Sequence, residues 1–377
     1  MKILYISDHG PYSSTFIRQD VEAISNLQET LYISFEADKK YPDQKTKTKL
    51  IRYPSHSIKS KIRWRLENLF VYFNWHDKLF SISIKEEIDA FDPEVIHCQF
   101  AYESAKLLHN FDTNKPIVIN FRGYGASYKL KNVFYVKWLR KTLQRNNVFP
   151  IFVSKSLRKN LLKEKIIPKN EGMVLYTGID LKKFTRTNYK ISSHPVFVQV
   201  SNFNDKKGQQ ITIQAFKKAI AENPTLNAKL IFIGDGKNLN VCKKLVDELN
   251  LNDRIEFLGN LDHFEIIKCL NFATIFVHHS ITAPNGDQEG IPNVIIEAMA
   301  MELPILSTFH SGIPEAVEHQ INGLLCMEND IETYSKQMQE ISNWGLLKIN
   351  RTKVFEQFNI ENHIEKLNRF YHLIRGN

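Results

Sequence analysis

Cysteine is scarce in this 377-residue chain. The four present (Cys98, Cys242, Cys269 and Cys326) form no C-x-x-C pair and show no metal-ligand spacing. That speaks against a disulfide framework or a zinc site and fits a reducing cytoplasm. Long apolar runs are missing as well: none approaches the roughly 18–20 residues that span a bilayer. After Met1-Lys2 only Ile3-Leu4-Tyr5-Ile6 precede Ser7-Asp8, which suits a first strand and is too short for a signal-peptide core. A protein not integral to the membrane is therefore expected. Three further signatures are absent. No G-x-x-x-x-G-K-[ST] loop occurs, and no metal-binding Asp-x-Asp, Asp287 standing alone ahead of Glu289. Gly234-Asp235-Gly236 lacks the third glycine of a dinucleotide fingerprint, which is Leu239 here. Internal repeats and low-complexity tracts are also missing.

Acidic residues are lacking over one long stretch. None falls between Asp112 and Glu164, where twelve Lys/Arg occur, and Lys39–Arg65 carries ten more. Residues 1–190 hold 33 Lys/Arg against 19 Asp/Glu, whereas residues 191–377 hold 17 against 22. The formal charge of +9 thus belongs to the first half. Trp64, Phe70, Tyr72, Phe73 and Trp75 accompany one basic region, and Phe134, Tyr135 and Trp138 the other. Bases mixed with large aromatics suit an anionic membrane surface. They would equally suit stacked nucleic-acid bases, or a solvated face over ordinary core aromatics. Their confinement to one half favours a membrane or anionic-acceptor role, and no nucleic acid is expected as partner.

Strands alternate with helical patterns along the chain. Ile3–Ser7, Leu31–Phe35, Val95–His97, Ile117–Phe121, Pro150–Val153 and Val174–Tyr176 read as strands, with helices over Phe16–Leu27 and from the cap Ser154 to Leu162. A second set runs through Val196–Val200, Leu230–Ile233, Ile255–Leu258, Ile275–Val277 and Ile305–Ser307. Such alternation predicts an α/β protein with two parallel-sheet domains, whose ligands bind beyond the carboxyl ends of the strands. The polar stretch Thr185–His194 reads as the linker, so the expected divisions are residues 1–185, 186–355 and a last helical segment, 356–377.

The most informative segment is Glu289-Gly290-Ile291-Pro292-Asn293-Val294-Ile295-Ile296-Glu297. Pro292 suits the first position of a helix, where a missing N–H costs nothing. Val294, Ile295, Ala298 and Met299 then predict a buried helical face. Glu289 falls in the loop ahead and Glu297 about a turn and a half in. Free N–H groups and the positive end of the helix dipole favour an anion in front, such as a diphosphate. A carboxylate facing a phosphate would repel it, so the two glutamates are assigned to sugar hydroxyls on either side.

This spacing resembles the E-x7-E motif of the retaining family-four glycosyltransferases. Other stretches fall in the order of that family: Asp205-Lys206-Lys207-Gly208 before a helix, Leu230–Gly236, Arg254–Gly259, Pro304–Thr308, Ser311-Gly312-Ile313-Pro314-Glu315 and the turn Asn322-Gly323. The resemblance covers nearly all of residues 150–330, and Ser13–Asp20 is similar to a segment of the capsular and exopolysaccharide-building subgroup. It implies the GT-B fold, two Rossmann-like domains facing across a cleft. The first would bind the acceptor and the second the nucleotide-sugar donor, with the last helix packing back on the first.

For the donor side the resemblance implies Lys207 on the departing diphosphate, Glu289 on the donor sugar and Glu297 on the nucleotide ribose. Asn202, Gly234, Leu258, Gly290, Ile291, Pro292 and Asn293 would line the same site. Lys206 reads as the solvent-pointing half of the pair, unless it, Arg122 or the helix N-terminus compensates for the missing diphosphate-binding arginine. The family's diphosphate-binding arginine is replaced by Asn202, and its acceptor-side His by Arg122 in Arg122-Gly123-Tyr124-Gly125. Arg122 and His97 join the catalytic candidates, and Gly10, Ser14, Thr15, Arg122 and Gly123 the acceptor side. His278-His279 read as structural.

The expected activity is a metal-independent, retaining hexosyl transfer from a nucleotide sugar to a glycan or lipid-linked acceptor at the inner face of the plasma membrane, building a bacterial surface polysaccharide. No cofactor is expected. A nucleotide-sugar epimerase on the same scaffold and a basic nucleic-acid-binding protein are the alternatives.

Overall fold

The computed structural model describes residues 1–7, 15–34, 47–50, 85–102, 113–168, 172–189 and 194–376. Two compact units emerge: residues 1–178 with 361–377, and residues 179–360. The division falls at 178 and 361, not at 185 and 355, for a visible reason. Arg351 donates to the carbonyls of Leu181 and Phe184, and Ile179 bridges Asn359. These bonds tie the start of the expected linker into the second unit. Arg186, buried, donates to the carbonyls of Leu270 and Ala273, so residues 185–189 do not behave as a free connector.

The first unit is a parallel sheet ordered β3-β2-β1-β4-β5-β6-β7. Its strands are β1 (Lys2–Ser7), β2 (Glu29–Ser34), β3 (Lys47–Leu50), β4 (Val95–Cys98), β5 (Ile117–Phe121), β6 (Val148–Phe152) and β7 (Met173–Val174). Near-continuous apolar runs are what a parallel strand covered on both faces requires, and Leu4, Ile6, Ile33, Ile96, Ile117, Ile119 and Phe121 are all buried in one core. The helices Val133–Leu143 and Lys155–Lys163 are capped by Asn132 and Ser154, each accepting from the backbone N–H three residues on. β3, inside the basic stretch Lys39–Arg65, was not expected as a strand; the rest of that stretch lies outside the described residues.

The second unit repeats the plan, with order β10-β9-β8-β11-β12-β13. Its strands are β8 (Val196–Val200), β9 (Lys229–Ile233), β10 (Ile255–Phe257), β11 (Ile275–Val277), β12 (Ile305–Thr308) and β13 (Gly323–Cys326). Gly323 therefore opens a strand in register with Ile305 and is not half of a turn. In both sheets the strand order reverses beside the first strand, the switch point where doubly wound folds bind ligands. In the second unit this lies between β8 and β11.

A candidate donor site at the switch point of the second sheet

Two loops leave that switch point, and the chain fixes both. After β8, Gly208 adopts φ +60, and a Cβ there would lie 1.9 Å from the carbonyl oxygen of His279, so only glycine fits. Buried Gln199 donates to the Lys207 carbonyl at 2.8 Å and Ile281 N–H to the Lys206 carbonyl at 3.0 Å. With their carbonyls tied down, both lysine side chains reach the second loop. Lys207 Nζ stands 2.7 Å from Glu289 Oε1. Lys206 Nζ lies 2.9 Å from Asp287 Oδ2 and 3.5 Å from Glu289 Oε1. Lys206 thus forms part of the site and does not point to solvent.

Burial raises the Glu289 carboxyl, but Lys207 and then Lys206 outweigh it and hold the pKa down at about 2. Lys206 is opposed by the same burial, yet Glu289 and Asp287 push its pKa up. The outcome is a charged cluster at neutral pH. Glu289 is clamped through its main chain as well. Its N–H donates to His310 Nε2 at 3.2 Å, and its carbonyl accepts from Ser311 Oγ at 2.6 Å.

The helix behind it spans Asn293–Ala300, with Pro292 as its N-cap and not its first residue, so it begins one residue later than expected. Ile295 through Ala300 are buried all round, whereas Val294 is only partly so; this is a core helix without a solvated face. Glu297 lies within that buried run, and burial alone lifts its pKa to about 7. Among the described residues, the N–H groups of Gly290, Ile291, Asn293 and Val294 find no backbone carbonyl, while Ile295 N–H bonds the Pro292 carbonyl. A helix N-terminus beside two lysines has the electrostatics that favour an anion.

The remaining donor candidates fall around it. Gly234 packs so closely on the loop after β8 that a Cβ would sit 2.1 Å from the Ser201 carbonyl oxygen, placing it next to exposed Asn202. Leu258 ends β10 partly exposed, its N–H on the Phe232 carbonyl. His278 and His279 are structural: His278 Nδ1 meets Ser280 Oγ, His279 Nε2 accepts from Asn329 N–H, and burial lowers their pKa values to about 3 and 4. No group of three His, Cys, Asp or Glu side chains able to hold a metal occurs among the described residues.

The acceptor-side candidates of the first unit have a different fate. Arg122 does not offer a free guanidinium. It donates to the Gln99 side chain at 2.9 Å, lies 3.4 Å from Asp20 Oδ2 and stacks on Phe16. Asp20, 2% exposed, also pairs with His363 Nε2 at 3.0 Å. His97 is buried too, its Nδ1 2.5 Å from the Tyr371 hydroxyl, which in turn meets Tyr5. Burial first, and then Arg122, lowers its pKa to about 3, so the neutral ring is a structural member of this network. The network anchors the last helix, Ile360–Arg375, through His363 and Tyr371. Gly123 opens a short turn after β5. Thr15 begins the first helix, its side chain outside the described residues, as are Gly10 and Ser14.

Sequence reasoning missed the roles of His310, Ser311 and Glu328 in the second unit, and of Asp20, His363 and Tyr371 in the first. Ser311, within Ser311-Gly312-Ile313-Pro314-Glu315, and Asp20, within Ser13–Asp20, carried a signal.

Paired doubly wound parallel sheets with an anion site at the second switch point define a GT-B protein. The solved structure of HepE from Anabaena in complex with UDP and glucose shares the fold, with TM-score 0.73 at 18% identity over 98% of this chain and 99% of that one. The description Glycosyltransferase Family 4 matches residues 44–183, and Glycosyl transferases group 1 matches residues 182–351. The chain thus carries both glycosyltransferase domains, the two matches together running from residue 44 to residue 351. A Salmonella typhimurium protein named for colanic acid biosynthesis, WcaL, is 32% identical over 205 residues, 52% of this chain and 50% of its own length. The amylovoran biosynthesis glycosyltransferase AmsK of Erwinia amylovora is 31% identical over 176 residues, 46% of this chain and 43% of its own. The chain thus spans about half the length of these curated relatives or less.

Proposed function

We propose that this protein transfers a hexosyl group, with retention, from a nucleoside-diphosphate sugar to a lipid-linked glycan in the assembly of a bacterial surface polysaccharide. The observation that carries the reading is the Lys206–Lys207–Glu289 cluster at the free N-terminus of helix Asn293–Ala300. Lysines and backbone N–H groups stabilise charge growing on a leaving diphosphate without a metal. Glu289, ionised, accepts from hydroxyls of the donor sugar, and Glu297 from the ribose. The acceptor oxygen bonds the anomeric carbon on the face from which the diphosphate departs. The bond from that carbon to the diphosphate oxygen breaks, and that oxygen takes the acceptor proton.

The polysaccharide setting is supported by what WcaL and AmsK are named for, and a nucleoside-diphosphate donor by the UDP bound to HepE. A peripheral site on an anionic membrane is supported by the first unit, where Val133 (77% exposed) and Phe134 (56%) project beside Lys129, Lys131 and Lys137. No helix among the described residues is long and apolar enough to cross a membrane. Donor hydrolysis screened across UDP-, GDP- and ADP-sugars, with and without chelator, tests the reading. Turnover of one donor, unchanged by chelator, is expected; no turnover of any, or strict dependence on Mg²⁺ or Mn²⁺, overturns it.

A further inference from the structure

Behind Glu289 lies a closed ring of hydrogen bonds. His310, with no exposed side-chain surface, accepts the Glu289 N–H at Nε2 (3.2 Å) and faces Glu328 Oε1 through Nδ1 (2.6 Å). Glu328 Oε2 accepts the Thr282 N–H at 2.7 Å, and Gln288 Nε2 donates to Thr282 Oγ1 at 3.2 Å, returning the ring to the residue beside Glu289. A backbone N–H can only donate, so Nε2 must carry a lone pair and Nδ1 the proton. Glu328 is the group that selects this tautomer, because both its oxygens are acceptors.

We propose that Glu328 and His310 are positioning residues that set the orientation of the Glu289 peptide, and through it the carboxylate that holds Lys206 and Lys207. An imidazole protonated at Nε2 would turn a donor against the Glu289 N–H and displace the loop. The role in turnover rests on the transferase reading above, whereas the tautomer does not.

Glu328→Gln separates positioning from packing. The variant keeps the shape but has one acceptor where two are needed. If its oxygen takes the Thr282 N–H, its NH₂ faces His310 Nδ1 and drives the proton to Nε2. Glu328→Ala leaves room for water, which accepts from Nδ1–H and preserves the tautomer. In the full chain, Glu328→Gln is expected to lower kcat by on the order of ten- to a hundredfold, as small misplacements do, with KM for the donor nearly unchanged. Glu328→Ala should lose more thermal stability yet retain more kcat. Imidazole ¹⁵N spectra without any substrate should show the Nδ1–H form in the wild type and the Nε2–H form in Glu328→Gln.

Wild-type kcat in Glu328→Gln, or kcat that simply follows thermal stability across the two variants, overturns the proposal. So does an Nε2–H tautomer in the wild-type protein. A wild type that turns over no nucleoside-diphosphate sugar but shows the Nδ1–H form overturns the transferase reading instead, and with it the role in turnover.

Discussion

Lys207 Nζ lies 2.7 Å from Glu289 Oε1, and the two residues come from different loops of one switch point. The loop after β8 supplies the cation and the loop after β11 the anion. Lys206 and Lys207 end the short 3-10 helix Asp205–Lys207, whereas Glu289 lies in irregular backbone, and their placement depends on Gly208, Gln199, His310 and Ser311. The pair holds the Lys207 cation against the loop that leads into helix Asn293–Ala300, where the diphosphate of the proposed donor would meet it.

The first prediction concerns this pair. Lys207→Ala should lower kcat by roughly 10²–10³, the cost of losing one preorganised donor to developing negative charge. Lys206→Ala should cost less, its Nζ standing 3.5 Å from Glu289 against 2.7 Å. Steady-state kinetics on folded variants checks this, and a Lys206 variant as damaged as the Lys207 one would reverse the ranking.

A second prediction separates the glutamates by pH. Glu289 is held at about 2 and Glu297 lifted to about 7. A carboxyl whose folded pKa is raised favours the fold below its unfolded value, and that contribution fades as pH rises from about 4.5 through about 7. Over this window the wild type should lose thermal stability relative to Glu297→Gln. Nucleotide affinity should move the other way, rising as Glu297 ionises, since only the carboxylate accepts from both ribose hydroxyls. Calorimetric titrations at several pH values decide it; parallel pH profiles for wild type and Glu297→Gln would remove Glu297 from the ribose site. Glu289→Gln should instead lower kcat with little change in nucleotide binding.

The helix carrying Glu297 was legible because Gly290-Ile291-Pro292 and the apolar run after it are local signals. Strand positions were legible for the same reason, except β3, a lysine-rich strand with little apolar signal, and β13, where Asn322-Gly323 carries a turn signature and Gly323 nonetheless opens the strand. What the chain order hides is pairing at long range. Asp20 meets Arg122 across 102 residues, and His97 meets Tyr371 across 274. No spacing rule links such positions, so Arg122 read as an open site residue and His97 as either an active-site or a structural histidine, when both are enclosed. Lys206 was left between solvent and site for a related reason: adjacent lysines usually diverge, but here Asp287 draws the first toward the side of Glu289 that holds the second.

The third prediction tests that enclosed network. Burial opposes ionisation of Asp20, but His363 and Arg122 hold its pKa below the usual carboxylate range. Its contribution is therefore present above the unfolded pKa and lost as pH falls through the folded value. Asp20→Ala, which leaves Arg122 buried without its anion, should destabilise the first unit by about 3–5 kcal/mol. Denaturant unfolding at neutral pH measures it, and a loss below about 1 kcal/mol would show that Gln99 alone suffices to hold Arg122.

The last prediction concerns the basic face of the first unit. Lys129, Lys131 and Lys137 lie near exposed Val133 and Phe134 at the start of the helix Val133–Leu143, with Arg140, Lys141 and Arg145 towards and beyond its end, while Lys39–Arg65 lies mostly outside the described residues. Each base near an anionic bilayer contributes about 1 kcal/mol at low salt, and apolar side chains at the helix start add a salt-independent part. The purified protein should therefore bind vesicles containing anionic lipid and release progressively as salt rises. Reversing four to six of these charges should abolish binding, and Phe134→Ser should weaken what remains at high salt. Donor hydrolysis should survive both changes, because Lys207, Glu289 and Glu297 belong to the other unit. Transfer to a soluble acceptor mimic should survive as well, while transfer to an acceptor embedded in vesicles should fall. Vesicle binding left intact by charge reversal would make the basic face ordinary surface and end the membrane reading.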